Sequence, residues 1–175
     1  MAWTRESICR ILQQTQEATE SLGGNFEEPE YIRVGSTNQF RHAEKNDLLQ
    51  SWLKCVRAVS TLNASLVLLD HGFFQEIGAL CRGVDEFTQD VLFLGNSLGD
   101  EGPSKQQRQL VEEFFQEEFA DLENPLTSVQ VRNRVSRSKV LAGIGRIRGN
   151  PIKPSDSQAL HASLYKAFSG YVHGA

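Results

Sequence analysis

The third helical segment of this sequence carries one basic and two acidic side chains at spacings that let them interact. Arg82 precedes Asp85 by three residues and Glu86 by four, so its guanidinium can reach either carboxylate across one helical turn. In a crevice, a guanidinium held in this way could bind a phosphate group through two parallel hydrogen bonds. On an open surface, the same residues form an ion pair worth less than about 1 kcal/mol. The spacing alone favours the surface pair.

A second candidate lies in the last helical segment, where His161, Tyr165, Ser169 and His173 recur every four residues. Side chains four residues apart are neighbours on a helix, so each can contact the next. A histidine beside a hydroxyl group can act as a general base or acid, because its unperturbed pKa lies near neutrality. Asp156, at the start of the segment, is its only acidic residue, so no carboxylate of this helix would orient His173. That favours a structural role for His173 near a helix C-terminus.

Charge is segregated in the second half of the chain. Residues 101–130 carry seven acidic and two basic side chains, whereas residues 131–153 carry seven basic and no acidic ones. A basic helix could follow an RNA backbone, which requires several cations along one face. Alternatively, the two segments form antiparallel helices whose opposite charges face each other, an interpretation that the short turn at 124–128 favours. No aromatic residue interrupts the basic run, which argues against base stacking there.

Apolar residues at spacings of three and four predict helices along most of the chain. The predicted segments are residues 4–22, 43–70, 73–94, 103–122, 127–147 and 155 to the end. A tight corner at Asp70–Gly72 makes the second and third helices antiparallel neighbours, so residues 43–98 form a central hairpin.

Two local patterns complete this prediction. Thr127 and Gln130 have the spacing of a capping box, which would start the fifth helix. Tyr31–Val34 is the only strand-like stretch, and because it has no evident partner we expect an extended loop. The predicted fold class is therefore all-α, an up-and-down bundle of about six helices around the central antiparallel hairpin. Residues 1–175 would form a single domain.

Composition narrows the class of protein. The chain has 175 residues, a net charge of -4 and 39% hydrophobic residues, as expected for one globular domain with a core. Its longest aliphatic run, Leu66–Leu69, is far shorter than the roughly 20 residues of a membrane span. With no apolar stretch at the N-terminus, we expect a cytoplasmic protein without a membrane partner. Three widely separated cysteines predict neither a disulfide framework nor a zinc site, and no metal or other cofactor is expected.

The run from Leu66 to Glu86 resembles the central hairpin of a family of uncharacterised all-helical proteins. In that family, an aliphatic helix turns through a Gly-aromatic corner into a helix with Arg, here Arg82, and Glu four residues later, here Glu86. The final segment, with Tyr165, Ser169 and His173, resembles the family's terminal Tyr…Ser…His pattern. Because the chain ends directly after this pattern, one interpretation of the single domain is that it is truncated at its C-terminus.

More distantly, the arrangement resembles the HEPN superfamily (higher eukaryotes and prokaryotes nucleotide-binding), whose helical domains include RNases of toxin and antiviral systems. The catalytic signature of that superfamily is an Arg followed by His after four to six residues. Here Lys166 occupies the position of the Arg before His173. Lysine offers positive charge to a phosphate but lacks the planar fork of arginine.

The resemblance implies a metal-independent endoribonuclease or a toxin-type RNA-binding protein. His173 would take the proton from a ribose 2′-hydroxyl, and Lys166 or Arg82 would stabilise charge on the phosphorane. The basic segment 131–153 would hold RNA. The other binding residues would be Glu86, Tyr165 and Ser169.

The alternative is a non-catalytic helical interaction or dimerisation module. In that case a polar network between helices would fix the bundle or a homodimer interface. Its members would be Arg82, Glu86, Tyr165 and His173.

Overall fold

A computed structural model of the chain describes residues 4–95, 102–132, 134–146 and 153–173. Within these residues, six helices and two strands follow each other along the chain. They are α1 (Arg5–Gly23), β1 (Glu30–Val34), β2 (Thr37–Arg41), α2 (Asp47–Asp70), α3 (Phe74–Gly95), α4 (Lys105–Phe115), α5 (Arg137–Ile144) and α6 (Pro154–His173).

The predicted all-α bundle is wrong, because residues 30–41 form an antiparallel β-hairpin. Tyr31–Val34 does have a partner: β1 pairs with β2 over a register that runs from Glu30 opposite Arg41 to Val34 opposite Thr37. A two-residue turn joins the strands, and Gly35, its first residue, has a φ of 56°. Glycine adopts this conformation readily, and Gly at the first central position is typical of a type II′ hairpin turn. The molecule is therefore mostly helical but contains a small sheet.

The predicted fifth helix is also wrong over its first ten residues. Instead of a helix, residues 118–131 fold back on themselves, with an isolated bridge between Phe119 and Gln130. Backbone hydrogen bonds from Ala120 to Val129 and from Val131 to Glu118 flank this bridge. The predicted capping box is absent, because Thr127 donates its hydroxyl proton to the Asn124 carbonyl in a turn. The helix itself begins at Arg137.

Arg132 explains why α4 ends at Phe115 rather than near residue 122. Its guanidinium donates hydrogen bonds to the carbonyl oxygens of Glu113, at 2.8 Å, and of Phe114, at 3.0 Å. The last carbonyls of a helix lack partners within the helix, so this side chain satisfies two of them. The loop that carries Arg132 therefore caps the C-terminus of α4, and the helix does not continue into the residues that follow.

Helix α3 is the scaffold of the candidate site, because it packs against α2, α5 and α6. The main buried cluster joins it to α4, α5 and the loop before α5, and consists of Phe93, Leu94, Leu110, Val135, Val140 and Ile144. Among the described helices, only α2 is long and apolar enough to cross a membrane by length and composition. A core helix of a globular protein meets the same criterion when it is mostly buried, whereas only 11% of the apolar stretch of α2 is buried. The helix packs against α1, α3 and α4.

Candidate functional site

A cleft of about 580 Å³ lies between α3, α5 and α6. Its walls come from α3 and from the consecutive helices α5 and α6, and we call this cavity the α3–α6 cleft. Its lining residues are Asp85, Glu86, Gln89, Arg137, Ser138, Leu141, Gln158, His161, Ala162, Tyr165 and Lys166.

The imidazole of His161 lies beside a carboxylate and an amide from α3. Its Nδ1 is 3.4 Å from Oδ1 of Asp85 and 3.1 Å from Nε2 of Gln89. The same Gln89 nitrogen donates to Oδ2 of Asp85 at 2.6 Å, which holds the carboxylate in place. In the tautomer that carries its hydrogen on Nδ1, the ring can donate that hydrogen to Asp85. This leaves Nε2 of His161 free to accept a proton from a bound molecule, the arrangement of a base oriented by a carboxylate.

Helical spacing in the sequence identified both His161 and Asp85 as candidate site residues, but it did not indicate that their side chains lie close together. His161 belonged to the row of polar residues on the last helix, and Asp85 was a second partner for Arg82. The two positions are 76 residues apart, so only the packing of α6 against α3 brings them together. Nothing in the helical spacing of either segment signals that packing.

Arg82 links α3 to α6 beside the cleft. Its Nε lies 3.3 Å from Oε1 of Glu86, and its Nη2 donates to the hydroxyl of Tyr165 at 2.9 Å. The guanidinium carbon also lies 4.4 Å from the centre of the Tyr165 ring, which is cation–π geometry. Arg82 therefore contacts two of the other predicted binding residues, Glu86 and Tyr165. Because Arg82 is already engaged on two sides, its guanidinium is less available to clamp a phosphate.

Of the remaining predicted site residues, only Lys166 lines the cleft in the described part of the structure. Lys166 is exposed at the cleft and forms no ion pair with the described residues. Ser169 is partly buried in α6 and is not among the residues that line the cleft. His173 is the last residue of α6, and its side chain lies outside the described part of the structure.

A buried ion cluster lies behind the cleft, and no pattern in the sequence predicted it. The side chain of Asp90 is only 3% exposed, and it pairs with Lys54 of α2 at 3.0 Å and with Arg137 of α5. Arg137 also reaches the side-chain oxygen of Gln89 at 3.5 Å. One carboxylate therefore joins three helices and holds a cleft-lining guanidinium.

Some cations in the described part of the basic segment 131–153 form ion pairs, and others do not. Arg132 and Arg134 lie 3.2 Å and 3.6 Å from carboxylate oxygens of Glu118, and Arg137 pairs with Asp90. Opposite charges do face each other, as one interpretation expected, but across a loop rather than between two antiparallel helices. Among the described residues, Lys139, Arg146 and Lys153 form no ion pair.

Comparison of the chain with protein-family models, curated proteins and solved structures gave no match. The resemblance to the HEPN superfamily consequently rests on the short motifs alone and stays a prediction. Any assignment of function must come from the side chains of the site.

Proposed function

We propose that the protein is a metal-independent endoribonuclease that binds single-stranded RNA in the α3–α6 cleft. The observation that supports this most is the pairing of His161 with Asp85 in a cleft of about 580 Å³. A large cavity with a few converging titratable groups is the usual setting of an active site. In this proposal His161 replaces His173 as the catalytic base, because His161 has a carboxylate that can stabilise its protonated form.

The reaction is an internal attack by the ribose. His161 removes the proton from the 2′-hydroxyl, and the 2′-oxygen forms a bond to the adjacent phosphorus. The bond from phosphorus to the 5′-oxygen of the next nucleotide then breaks, and that oxygen takes a proton from solvent. The products are a 2′,3′-cyclic phosphate and a 5′-hydroxyl. Lys166 stabilises the extra negative charge on the phosphorane, because its ammonium group lies at the cleft and pairs with no carboxylate of the described residues.

The test is RNA cleavage by the purified chain in excess chelator, with the ends of the products identified. We expect cyclic phosphate ends and at least a 100-fold lower rate for His161→Ala, roughly the effect of removing a general base. His42→Ala is the matched control, since His42 lies in another cavity of the molecule. Absence of cleavage by a folded wild-type chain would contradict the proposal. Loss of cleavage in His173→Ala but not in His161→Ala would return the catalytic role to His173.

A second candidate function, a helical interaction or dimerisation module, is favoured by the corner between α2 and α3. Val67, Phe73 and Phe74 are exposed there, with Phe74 at 64% of its full accessibility. Adjacent exposed aromatic and aliphatic side chains are typical of a protein-binding surface. The polar network of Arg82, Glu86 and Tyr165 would then only join α3 to α6.

Solution mass distinguishes this second candidate from a monomeric enzyme. A module of this kind predicts a concentration-dependent homodimer that Phe74→Ser disrupts, measured by light scattering during size-exclusion chromatography. His161→Ala should leave the dimer intact. A wild-type chain that stays monomeric at all concentrations would contradict dimerisation.

A further inference from the structure

A third cavity, of about 280 Å³, lies against a different face of α5 from the α3–α6 cleft. The cleft contacts α5 at residues 137, 138 and 141, whereas this cavity contacts it at 139, 142 and 143. At about 100° per residue, these two sets of positions lie on roughly opposite sides of the helix. We call this cavity the basic pocket, since Lys139 and Arg146 line it.

The lining of the basic pocket is positively charged. Lys139 and Arg146 are its ionisable residues, and no acidic side chain is among the described residues that line it. Ser104 and Gln106, from the start of α4, add polar groups, and Phe93 forms an apolar part of the wall. Two cations that line one cavity repel each other, and an anion bound in that cavity would relieve the repulsion.

The two cations of the basic pocket differ from Arg132, Arg134 and Arg137, which form ion pairs with carboxylates. Arg132 and Arg134 pair with Glu118, and Arg137 pairs with Asp90. Lys139 and Arg146 are exposed and have no such carboxylate among the described residues. These two cations are therefore able to bind an external anion.

We propose that the basic pocket is a second phosphate-binding subsite for the RNA strand whose scissile nucleotide occupies the α3–α6 cleft. This inference rests on the proposed function. The strand crosses the exposed side of α5, so the two sites are separated by about one helix diameter, roughly 10 Å. A dinucleotide has a single internucleotide phosphate and cannot occupy both sites. Longer RNA occupies both.

The test compares binding of a ten-nucleotide 2′-O-methyl RNA, which cannot be cleaved because it lacks the attacking hydroxyl, by three proteins. They are the wild-type chain, the double variant Lys139→Ala/Arg146→Ala and the charge-matched control Lys45→Ala/Arg57→Ala, whose exposed side chains line neither site. Affinity is measured over a range of salt concentrations. The slope of log K against log salt is negative for RNA binding. For the pocket variant, we expect the magnitude of this slope to decrease by about 0.7 for each phosphate that the protein no longer neutralises. The control should keep the wild-type slope.

A second measurement uses a dinucleotide to separate binding in the cleft from binding in the basic pocket. The pocket variant should bind a 2′-O-methyl dinucleotide as the wild-type chain does, because that ligand fills only the cleft. If the variant weakens both ligands equally, or neither, the basic pocket is not a separate subsite and the inference is wrong, although the proposed function stands. If inorganic phosphate titrates the pocket while RNA affinity is unchanged, the pocket binds free anions and its assignment to RNA is wrong. If the folded wild-type chain does not bind RNA, the proposed function fails together with the inference.

Discussion

Two cavities of nearly equal volume differ in the chemistry that surrounds their histidines. The α3–α6 cleft measures about 580 Å³, and the groove between the β-hairpin, α2 and α4 measures about 520 Å³. In the cleft, His161 lies beside Asp85 and Gln89. In the groove, Nδ1 of His42 contacts the backbone oxygen of Glu27 at 3.1 Å, and its ring packs edge-on against Trp52.

Cavity volume therefore does not distinguish the two candidate sites, whereas the partners of their histidines do. A backbone carbonyl fixes the position of His42 without offering it a counter-charge. Asp85 can stabilise the imidazolium that forms when His161 accepts a proton. The groove also contains a carboxylate, but Glu117 pairs with Arg41 at 2.9 Å and not with His42.

The largest expected effect on stability compares an ion pair behind the cleft with one in the groove. Asp90→Asn leaves Lys54 and Arg137 without their shared carboxylate, and breaking such a buried cluster costs about 3 kcal/mol. Glu117→Gln removes the partner of Arg41, where both side chains are 39% exposed, and should cost less than about 1 kcal/mol. Urea unfolding of the two variants measures both values. Equal losses in the free energy of unfolding would mean that the buried ion cluster behind the cleft stabilises the protein no more than the exposed pair in the groove.

A glycine at the contact between α5 and α3, on the side of α5 that faces the basic pocket, gives the next largest effect. A Cβ atom at Gly143 of α5 would overlap the ring of Phe93 on α3, so these two helices approach closely there. Gly143→Ala should destabilise the protein by about 2 kcal/mol through overpacking. Gly83→Ala on α3 is the control, because its Cβ would lie 3.8 Å from the Phe87 ring, an ordinary contact. Alanine at that position should be neutral or stabilise by up to about 1 kcal/mol. A neutral result for Gly143→Ala would show that α5 moves away from α3 at little cost.

The helices were largely predictable because their apolar residues recur at spacings of three and four. The boundaries of α2 and α3 were right to within a few residues, and the corner at Asp70 was placed correctly. The hairpin was missed because β2, with Thr37, Gln39 and Arg41 on alternate positions, contains few strand-forming apolar residues. The available signal was the two-residue Gly35–Ser36 turn between Tyr31–Val34 and Phe40, which is typical of hairpins.

The contacts of the site were less predictable than its residues. The pairing of Arg82 with Glu86 follows from helical spacing, and the structure contains it. The contacts of His161 with Asp85, and of Arg137 with Asp90, each join helices distant in sequence. Periodicity shows which face of a helix is apolar, but not which other helix covers a given residue. Contacts between helices can therefore be found only once the packing is known.

A smaller effect comes from the hydroxyl that joins α3 to α6. Tyr165→Phe removes the acceptor for Arg82 while leaving the ring in place, so we expect a loss of about 0.5–1 kcal/mol. Tyr31→Phe in the hairpin is the matched control, because its hydroxyl makes no hydrogen bond with the described residues and its ring packs on Phe40. Thermal unfolding of the pair measures the difference. If both variants melt like the wild-type chain, the hydrogen bond to Tyr165 contributes nothing measurable.

The smallest effect concerns the thiols on the helices that form the two cavities, and it alters reaction rates rather than stability. All three cysteines are free thiols; Cys9 is exposed, whereas Cys55 on α2 and Cys81 on α3 are partly buried. Burial raises the pKa of the Cys55 and Cys81 thiols, because it disfavours the charged thiolate. Since the thiolate is the nucleophile, both should react with iodoacetamide more slowly than Cys9 near neutral pH and gain rate as pH rises.

Peptide mass spectrometry of the alkylated chain measures the three rates, and in denaturant they should converge. Helix α2 contributes Leu53 to the groove and α3 contributes Asp85 to the cleft. A faster reaction at Cys55 than at Cys81 would therefore mean that the groove side of the molecule opens before the cleft side. We expect Cys55 and Cys81 to react at similar rates, because Asp90 on α3 pairs with Lys54, the residue before Cys55 on α2, and so holds both helices. Rates that are equal for all three thiols in the folded chain would contradict the burial of both helices.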